Sequence, residues 1–289
     1  MNLPPIGFGC SPFRPGGRWV DLEAAVTTAL AVGYRLLDTA ELYGNERQVG
    51  RALDAPTSPP RRDVVVVGKA WRTSFRPDRL RAACEASLLR LGLAEFDLYL
   101  LHAPEAWRHV APLGDVEELG RAELERRALP READGRIVSD DVAPSETWGA
   151  MVELAERGLA TAIGVSNFSP TEIEQLGHPR PSCNEIEHHP LAMHADTVAW
   201  CRKEGIALLG HSPLSTAGVL ELPEVTSVAR RIGRSPAQVL LRWCLQKGLT
   251  PLPSSGDERH LRENLEALRF TLDDAAMTAI DASSAGGRA

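Results

Sequence analysis

The chain has 289 residues, 43% of them hydrophobic and 25% charged, which suits one large α/β domain or two smaller ones. A formal net charge of −7 leaves no broad basic stripe and excludes a nucleic-acid partner. No run reaches the roughly 18 apolar residues of a membrane helix. The five cysteines (Cys10, Cys84, Cys183, Cys201 and Cys244) are scattered and odd in number, and MNLPPIGFGCSPF lacks the basic start and apolar core of a secretory signal. Free thiols and a cytoplasmic location are expected.

Short apolar runs alternate with amphipathic ones. IGFGC (6–10) precedes a helical pattern at 21–33, YRLLD (34–38) precedes one at 45–53, and VVVVGK (64–69) precedes one at 77–92. FDLYLLH (96–102) leads into a charged stretch, 105–144, too long for a mere connection, and then a helix at 146–158. ATAIGVSN (160–167), CNEIE (183–187) and IALLGHS (206–212) continue as strands, with helices at 169–177 and 195–205. An interruption, STAGVLELPEV (215–225), precedes a helix at 235–248. LTPLP (249–253) is the last strand, a helix at 257–268 follows, and residues 283–289 read as a frayed tail.

Eight such units predict a single (β/α)8 barrel domain over 1–289, with 105–144 as a long active-site loop after the fourth strand. A doubly wound sheet would carry G-x-G-x-x-G after its first strand, whereas GFGCSP has Pro12 where the third glycine belongs.

Six of the apolar runs end in polar groups: Asp38, Lys69, His102, Ser166–Asn167, Glu185 and His211. Buried charges are costly unless paired, so their convergence on the C-terminal rim, where barrels build sites, points to chemistry. Tyr43, one of three tyrosines, follows the second strand. A phenol is a poor acid at neutral pH. An ammonium about 4 Å away, at an effective dielectric of about 20, stabilises phenolate by roughly 4 kcal/mol. That is enough to lower the phenol by up to about three pH units before desolvation opposes it. Lys69 can be that ammonium, Asp38 its partner, and His102 a hydrogen-bond donor or proton relay. The set suits protonation of an oxygen that gains negative charge, as when a nicotinamide cofactor gives hydride to a carbonyl.

LLDTAELYGNE (36–46), VVVVGK, DLYLLHAP, GLATAIGVSNFS, CNEIEHHP, HSPLS and RENL, in that order and spacing, strongly resemble the motifs of the aldo-keto reductase superfamily over nearly the whole chain. The long loop and its DGRIVSDDV segment are similar to the aldehyde-reductase branch. The resemblance implies a catalytic tetrad of Asp38, Tyr43, Lys69 and His102, and NADPH lying across the barrel mouth. It further implies that Ser166, Asn167 and Glu185 hold the carboxamide and that His211 stacks on the nicotinamide. Ser212 and Leu214 would meet the pyrophosphate, and Ser255, Arg259, Glu263 and Asn264 would lie at the adenosine end. A monomer acting on a small-molecule carbonyl is implied too; charge, run lengths and ligand spacing separately leave no nucleic acid, membrane or metal expected.

Four positions depart from the family pattern. His211, a smaller ring that can carry charge, replaces an aromatic. Glu185 replaces a glutamine, Ser254 a lysine, and His260 an arginine, with Arg259 one position earlier. Losing those two cations opens the cofactor end to NADH. Ser11 and Ala103 stand where larger rings are usual, and Phe13, Trp19, Trp71 and Trp107 are candidate pocket lining. The alternatives are a regulatory barrel with little turnover, and the same redox chemistry on an imine or conjugated alkene. A metal-dependent hydrolase is disfavoured because His188 and His189 are adjacent and point opposite ways on a strand.

Overall fold

The computed structural model describes residues 3–11 and 21–283; Phe13 and Trp19, two of the candidate lining residues, lie outside them. Eight parallel strands run in sequence order: β1 (Phe8–Gly9), β2 (Leu36–Asp38), β3 (Val65–Ala70), β4 (Phe96–Leu101), β5 (Ala160–Ser166), β6 (Cys183–Glu187), β7 (Ala207–His211) and β8 (Thr250–Pro251). The expected barrel is closed by two backbone bonds between its ends, Gly7 N–H to Pro251 O and Gly9 N–H to Pro253 O, each 3.0 Å. Closure explains Gly9: a Cβ there would stand 2.9 Å from the Leu252 carbonyl oxygen.

The outer ring comprises α1 (Leu22–Val32), α2 (Glu46–Asp54) and α3 (Pro77–Leu91). Two short helices, α4 (Val116–Leu119) and α5 (Arg121–Ala128), lie in the long loop. Next come α6 (Pro144–Glu156), α7 (Pro170–Leu176), α8 (Ala195–Lys203), α9 (Pro223–Ile232), α10 (Pro236–Gln246), α11 (Glu258–Leu265) and α12 (Asp274–Ala282). Local chemistry sets their ends. Capping boxes Ser169/Glu172 and Ser235/Gln238 open α7 and α10, and left-handed Gly33, Gly92 and Gly233 close α1, α3 and α9.

Two cores result. Outward strand residues and helix stripes form the larger. The smaller fills the barrel with Leu36, Val67, Leu98, Leu100, Cys183, Leu209 and Leu252, all buried. Each fully buried aliphatic side chain contributes roughly 1.5–3 kcal/mol relative to exposure. The inner layers leave no bore, so chemistry is confined to the rim above them.

Three expectations change. The 215–225 interruption runs into α9, whose Val225, Val228 and Ala229 pack on α10. The final segment contains α12, and Ser283, placed in the tail, is buried and donates from Oγ to Glu224 at 3.0 Å; residues 284–289 lie outside the described set. The stretch after β4 is a folded cap. Leu113, Leu124 and Ala128 pack on Trp71, Trp71 Nε1 donates to Ala128 O at 2.8 Å, and Arg76 donates from Nε to Asp140 at 2.8 Å.

Candidate active site

Alternation along the strands carries the inner core upward into the site. In a strand, residues two apart share a face. Asp38 therefore follows Leu36, Lys69 follows Val67, His102 follows Leu100, Glu185 follows Cys183, and His211 follows Leu209, each one step above a core residue. Ser166 follows Gly164 in the same way and lies in register with Glu185. Asp38, Tyr43, His102, Ser166, Glu185 and His211 line one cavity of about 150 Å³.

Lys69 is fully buried. Its ammonium donates to Asp38 in a short contact and to the Thr39 carbonyl at 3.3 Å, and lies 3.3 Å from Glu185 Oε1. Burial opposes the charge, but Asp38, Glu185 and Tyr43 outweigh it and hold Lys69 protonated. Burial raises Asp38, while Lys69 draws it back down. Burial, and next the Asp38 charge, push Glu185 well above the carboxylate range.

Tyr43 sits 5.3 Å, from ring centroid, beneath the same ammonium. The expected acidification of its phenol is overturned: burial raises Tyr43, and Asp38 and Glu185 add to the rise against Lys69. The ammonium is shared with two carboxyls and cannot outweigh desolvation. The phenol thus remains a protonated donor, which is the form a general acid requires. His102 meets Tyr43 and Trp71 edge to face, with centroids at 5.7 and 5.0 Å. Burial, then Lys69, His211 and Arg72, hold it neutral, and its buried Nδ1 has no hydrogen-bond partner among the described residues.

The expectation that His211 can carry charge also fails. Burial, then Lys69, lower it to about 4. The neutral ring donates from Nε2 to Asn167 Oδ1 at 3.0 Å and meets Ser212 Oγ at 3.2 Å through Nδ1, a tautomer assigned from these partners.

The turn bearing Tyr43 is fixed from below. Residues Glu41–Tyr43 form one 3-10 turn, closed by Gly44 at φ 62°, where a Cβ would meet Leu124 and Val116 of the cap at 2.5 and 2.8 Å. Asn45 donates to the Cys10 carbonyl at 2.9 Å, tying the turn to β1. Glu41 was not singled out from sequence. Buried, it accepts from the Trp71 N–H at 2.9 Å and the Ser74 hydroxyl at 3.2 Å, so it joins the Tyr43 turn to the wall behind His102. Its charge in a continuous helix-like motif gave no periodic signal of burial.

Burial raises Glu41 from 4.5 to about 7. A raised folded value stabilises fully below about pH 4.5, and that contribution is lost as pH rises through about 7. Thermal melts should therefore show wild-type stability falling across that window, with a flatter profile in E41Q. Parallel profiles would place the Glu41 titration elsewhere.

The remaining cofactor expectations divide. Asn167 and Ser212 turn into left-handed conformations at φ 62° and 55° as they leave β5 and β7, backbone strain of the kind that collects at ligand sites. Asn167 Nδ2 donates to Ser166 Oγ at 3.0 Å and to His102 O at 3.3 Å, and its Oδ1 accepts from His211, so the ends of β4, β5 and β7 are latched together. Leu214 is half-buried against the core. Ser254 lies in the central cavity wall, beside Ser11. Ser255 accepts from the Asp257 N–H at 3.0 Å. Arg259 and Glu263 pair at 3.3 Å on the exposed face of α11, and Arg259 also contacts His260. Asn264 is buried on α11, near where the Tyr34 hydroxyl donates to the Leu261 carbonyl at 3.3 Å.

A nicotinamide end fits this site on direct grounds. Glu185 Oε2 and His102 Nδ1 are buried polar atoms without protein partners, in a cavity ringed by hydroxyl and amide groups. Ligand clefts usually span roughly 300–1,000 Å³, so this cavity of about 150 Å³ has room for one end of a larger ligand. Among the described residues, no three His, Cys, Asp or Glu side chains are grouped to hold a metal ion. His188 stacks on Trp243 at 4.7 Å, away from the cavity lining. No described helix is long and apolar enough to cross a membrane.

The sequence model of the Aldo/keto reductase family matches residues 5–285. The chain is 34% identical over 298 residues to aldo-keto reductase family 1 member A1-A of Danio rerio, covering 97% of this chain and 86% of that one. It is 33% identical over 299 residues to member A1 of Homo sapiens, covering 98% and 86%. Two solved structures are close in shape. The aldose reductase from Schistosoma japonicum matches with a TM-score of 0.87 at 32% identity, covering 100% of this chain and 91% of that one. The aldose reductase from Giardia lamblia matches with a TM-score of 0.85 at 29% identity, covering 98% and 93%.

Proposed function

This chain belongs to the aldo/keto reductase family, and we propose that it reduces an aldehyde or ketone to the alcohol as a monomer, with Tyr43 as general acid. One observation carries this reading: a protonated phenol and a neutral imidazole line a single cavity, with a buried ammonium 5.3 Å from the phenol ring. A carbonyl oxygen seated between Tyr43 and His102 becomes an alkoxide as hydride adds to its carbon. Tyr43 gives that oxygen a proton. Lys69, 5.3 Å from the ring centroid, stabilises the phenolate left behind, and Asp38 keeps Lys69 charged and in place. His102 orients the oxygen. Buried and water-poor surroundings strengthen each of these interactions.

A reduced nicotinamide dinucleotide supplies the hydride when bound. Ser166, Asn167 and Glu185 would hold its amide end, with His211 beside the ring. Ser212 and Leu214 would hold the pyrophosphate, and Ser255, Arg259 and Glu263 the adenosine end. Asn264, on the same helix, would join them there. NADPH is the proposed donor because Arg259 can exchange Glu263 for a phosphate. NADH is admitted because Ser254 and His260 stand where the family pattern carries cations.

Fluorescence titration with NADPH and with NADH tests the donor. Tight binding of NADPH, weakened by R259A, is the expected result; equal affinity for both, unchanged by R259A, would remove Arg259 from the phosphate. If neither binds, the reductase reading fails.

A further inference from the structure

Glu185 changes the proton count of the site. It rises from the inner face of β6, 1% exposed, with Oε1 3.3 Å from Lys69 Nζ and Oε2 buried without a hydrogen-bond partner. Two carboxyls, from β2 and β6, thus share one ammonium from β3. The charged and titratable groups around Glu185 are Asp38, Lys69, the Tyr43 phenol, the Cys183 thiol on its own strand, and the neutral His102 and His211 rings that line the same cavity. With both carboxyls ionised, a site nearly sealed from water would carry excess negative charge, which is costly. One proton on the pair removes that excess. Burial and the Asp38 charge place it on Glu185 in preference to Asp38.

The geometry points to Glu185 as a proton store: it holds a proton while the cavity contains no positive ring and releases it when a cationic ring enters, so the oxidised nicotinamide dinucleotide binds with loss of a proton and the reduced one does not. This inference rests on the reading of function given above. A hydride donor serving a carbonyl at Tyr43 must bring its transferring carbon into the cavity that Glu185 lines.

The proton balance closes. Reduction consumes one proton from solution overall. The Tyr43 O–H bond breaks as the alcohol O–H forms. Lys69 passes a proton to the phenolate, and Glu185, 3.3 Å from Nζ, passes one to Lys69. Glu185 is left as a carboxylate facing the oxidised ring and regains a proton from solvent when that ring departs. Glu185 thus acts through Lys69 and is a positioning residue for the reaction.

Linkage fixes the sign. A ligand that lowers the pKa of Glu185 binds more tightly as pH rises, by up to about tenfold per pH unit between the bound and free values. The test is calorimetric titration of the full chain with NADP+ and with NADPH, in two buffers of different ionisation enthalpy, and fluorescence affinities between about pH 6 and pH 8. NADP+ should release up to one proton and tighten with pH, while NADPH should do neither. E185Q, which preserves shape, should abolish the release, and Y43F should leave it in place. Equal proton release for both ligands, no release, or a slope that survives in E185Q would overturn the inference. If E185Q fails to fold, the two-buffer comparison in the wild type decides alone. If neither dinucleotide binds, the functional reading falls and takes this inference with it; if both bind without a difference in protons, only this inference falls.

Discussion

Replacing Tyr43 with Phe should lower kcat for carbonyl reduction by about 10²–10⁴-fold, the usual worth of a positioned general acid, while dinucleotide affinity stays nearly constant. The variant removes one hydroxyl and little else. The ring remains wedged against His102 at 5.7 Å and beneath Lys69 at 5.3 Å, so the cavity wall stands. Because the phenol is held protonated across the neutral range by burial, loss of activity should be uniform there. A Y43F enzyme within a few-fold of wild type would move the proton donor to another residue, with Glu185 the first candidate to examine.

The second large effect is on stability. Lys69→Met would leave Asp38 and Glu185 facing each other at 2% and 1% exposure with no cation between them. Removing one partner of a buried charge set costs about 3–5 kcal/mol, and that loss should depend on pH. Without the ammonium, both carboxyls have folded pKa values raised above their unfolded ones. Stability is then fullest below the unfolded carboxylate range, near pH 4, and declines as pH rises through the raised folded values. Chemical denaturation of K69M should therefore show a smaller deficit at mildly acidic pH than at alkaline pH. A deficit that is small and independent of pH would mean that the two carboxyls relax apart or reach solvent.

Much of the site was legible in the sequence because of one geometric rule. A strand places every second residue on the same face. Polar residues that follow Leu36, Val67, Leu100, Cys183 and Leu209 by two therefore had to surface on one rim once the strands were parallel and in order. Tyr43 was legible from its place just beyond such a strand. Its protonation balance was not. The attraction of Lys69 is visible as a charge in the sequence, but the desolvation that outweighs it depends on residues distant in the chain, including Glu185, which shares the same ammonium. His211 shows the same lesson, since burial beside Lys69 makes it neutral.

The helices of the cap were missed because they are short and charged. Only Leu124 and Ala128 of α5 face inward, too few to mark a periodic stripe, and their packing surface is Trp71 on a different segment. Helix α9 was obscured by the Gly and Pro residues before it, although Val225, Val228 and Ala229 carry the i, i+3, i+4 spacing.

In the proposed reaction this cavity passes hydride from a dihydronicotinamide to a carbonyl carbon while Tyr43 protonates the oxygen. The most direct measurement is a single turnover of the intact chain, loaded with NADPH deuterated at the transferring position and mixed with a panel of aldehydes and ketones, with the products read by mass spectrometry. The account predicts an alcohol carrying deuterium on the former carbonyl carbon, formed by the wild type and largely lost in Y43F. Bound NADPH with no deuterium delivered to any carbonyl, or delivery to an imine or alkene alone, would contradict it.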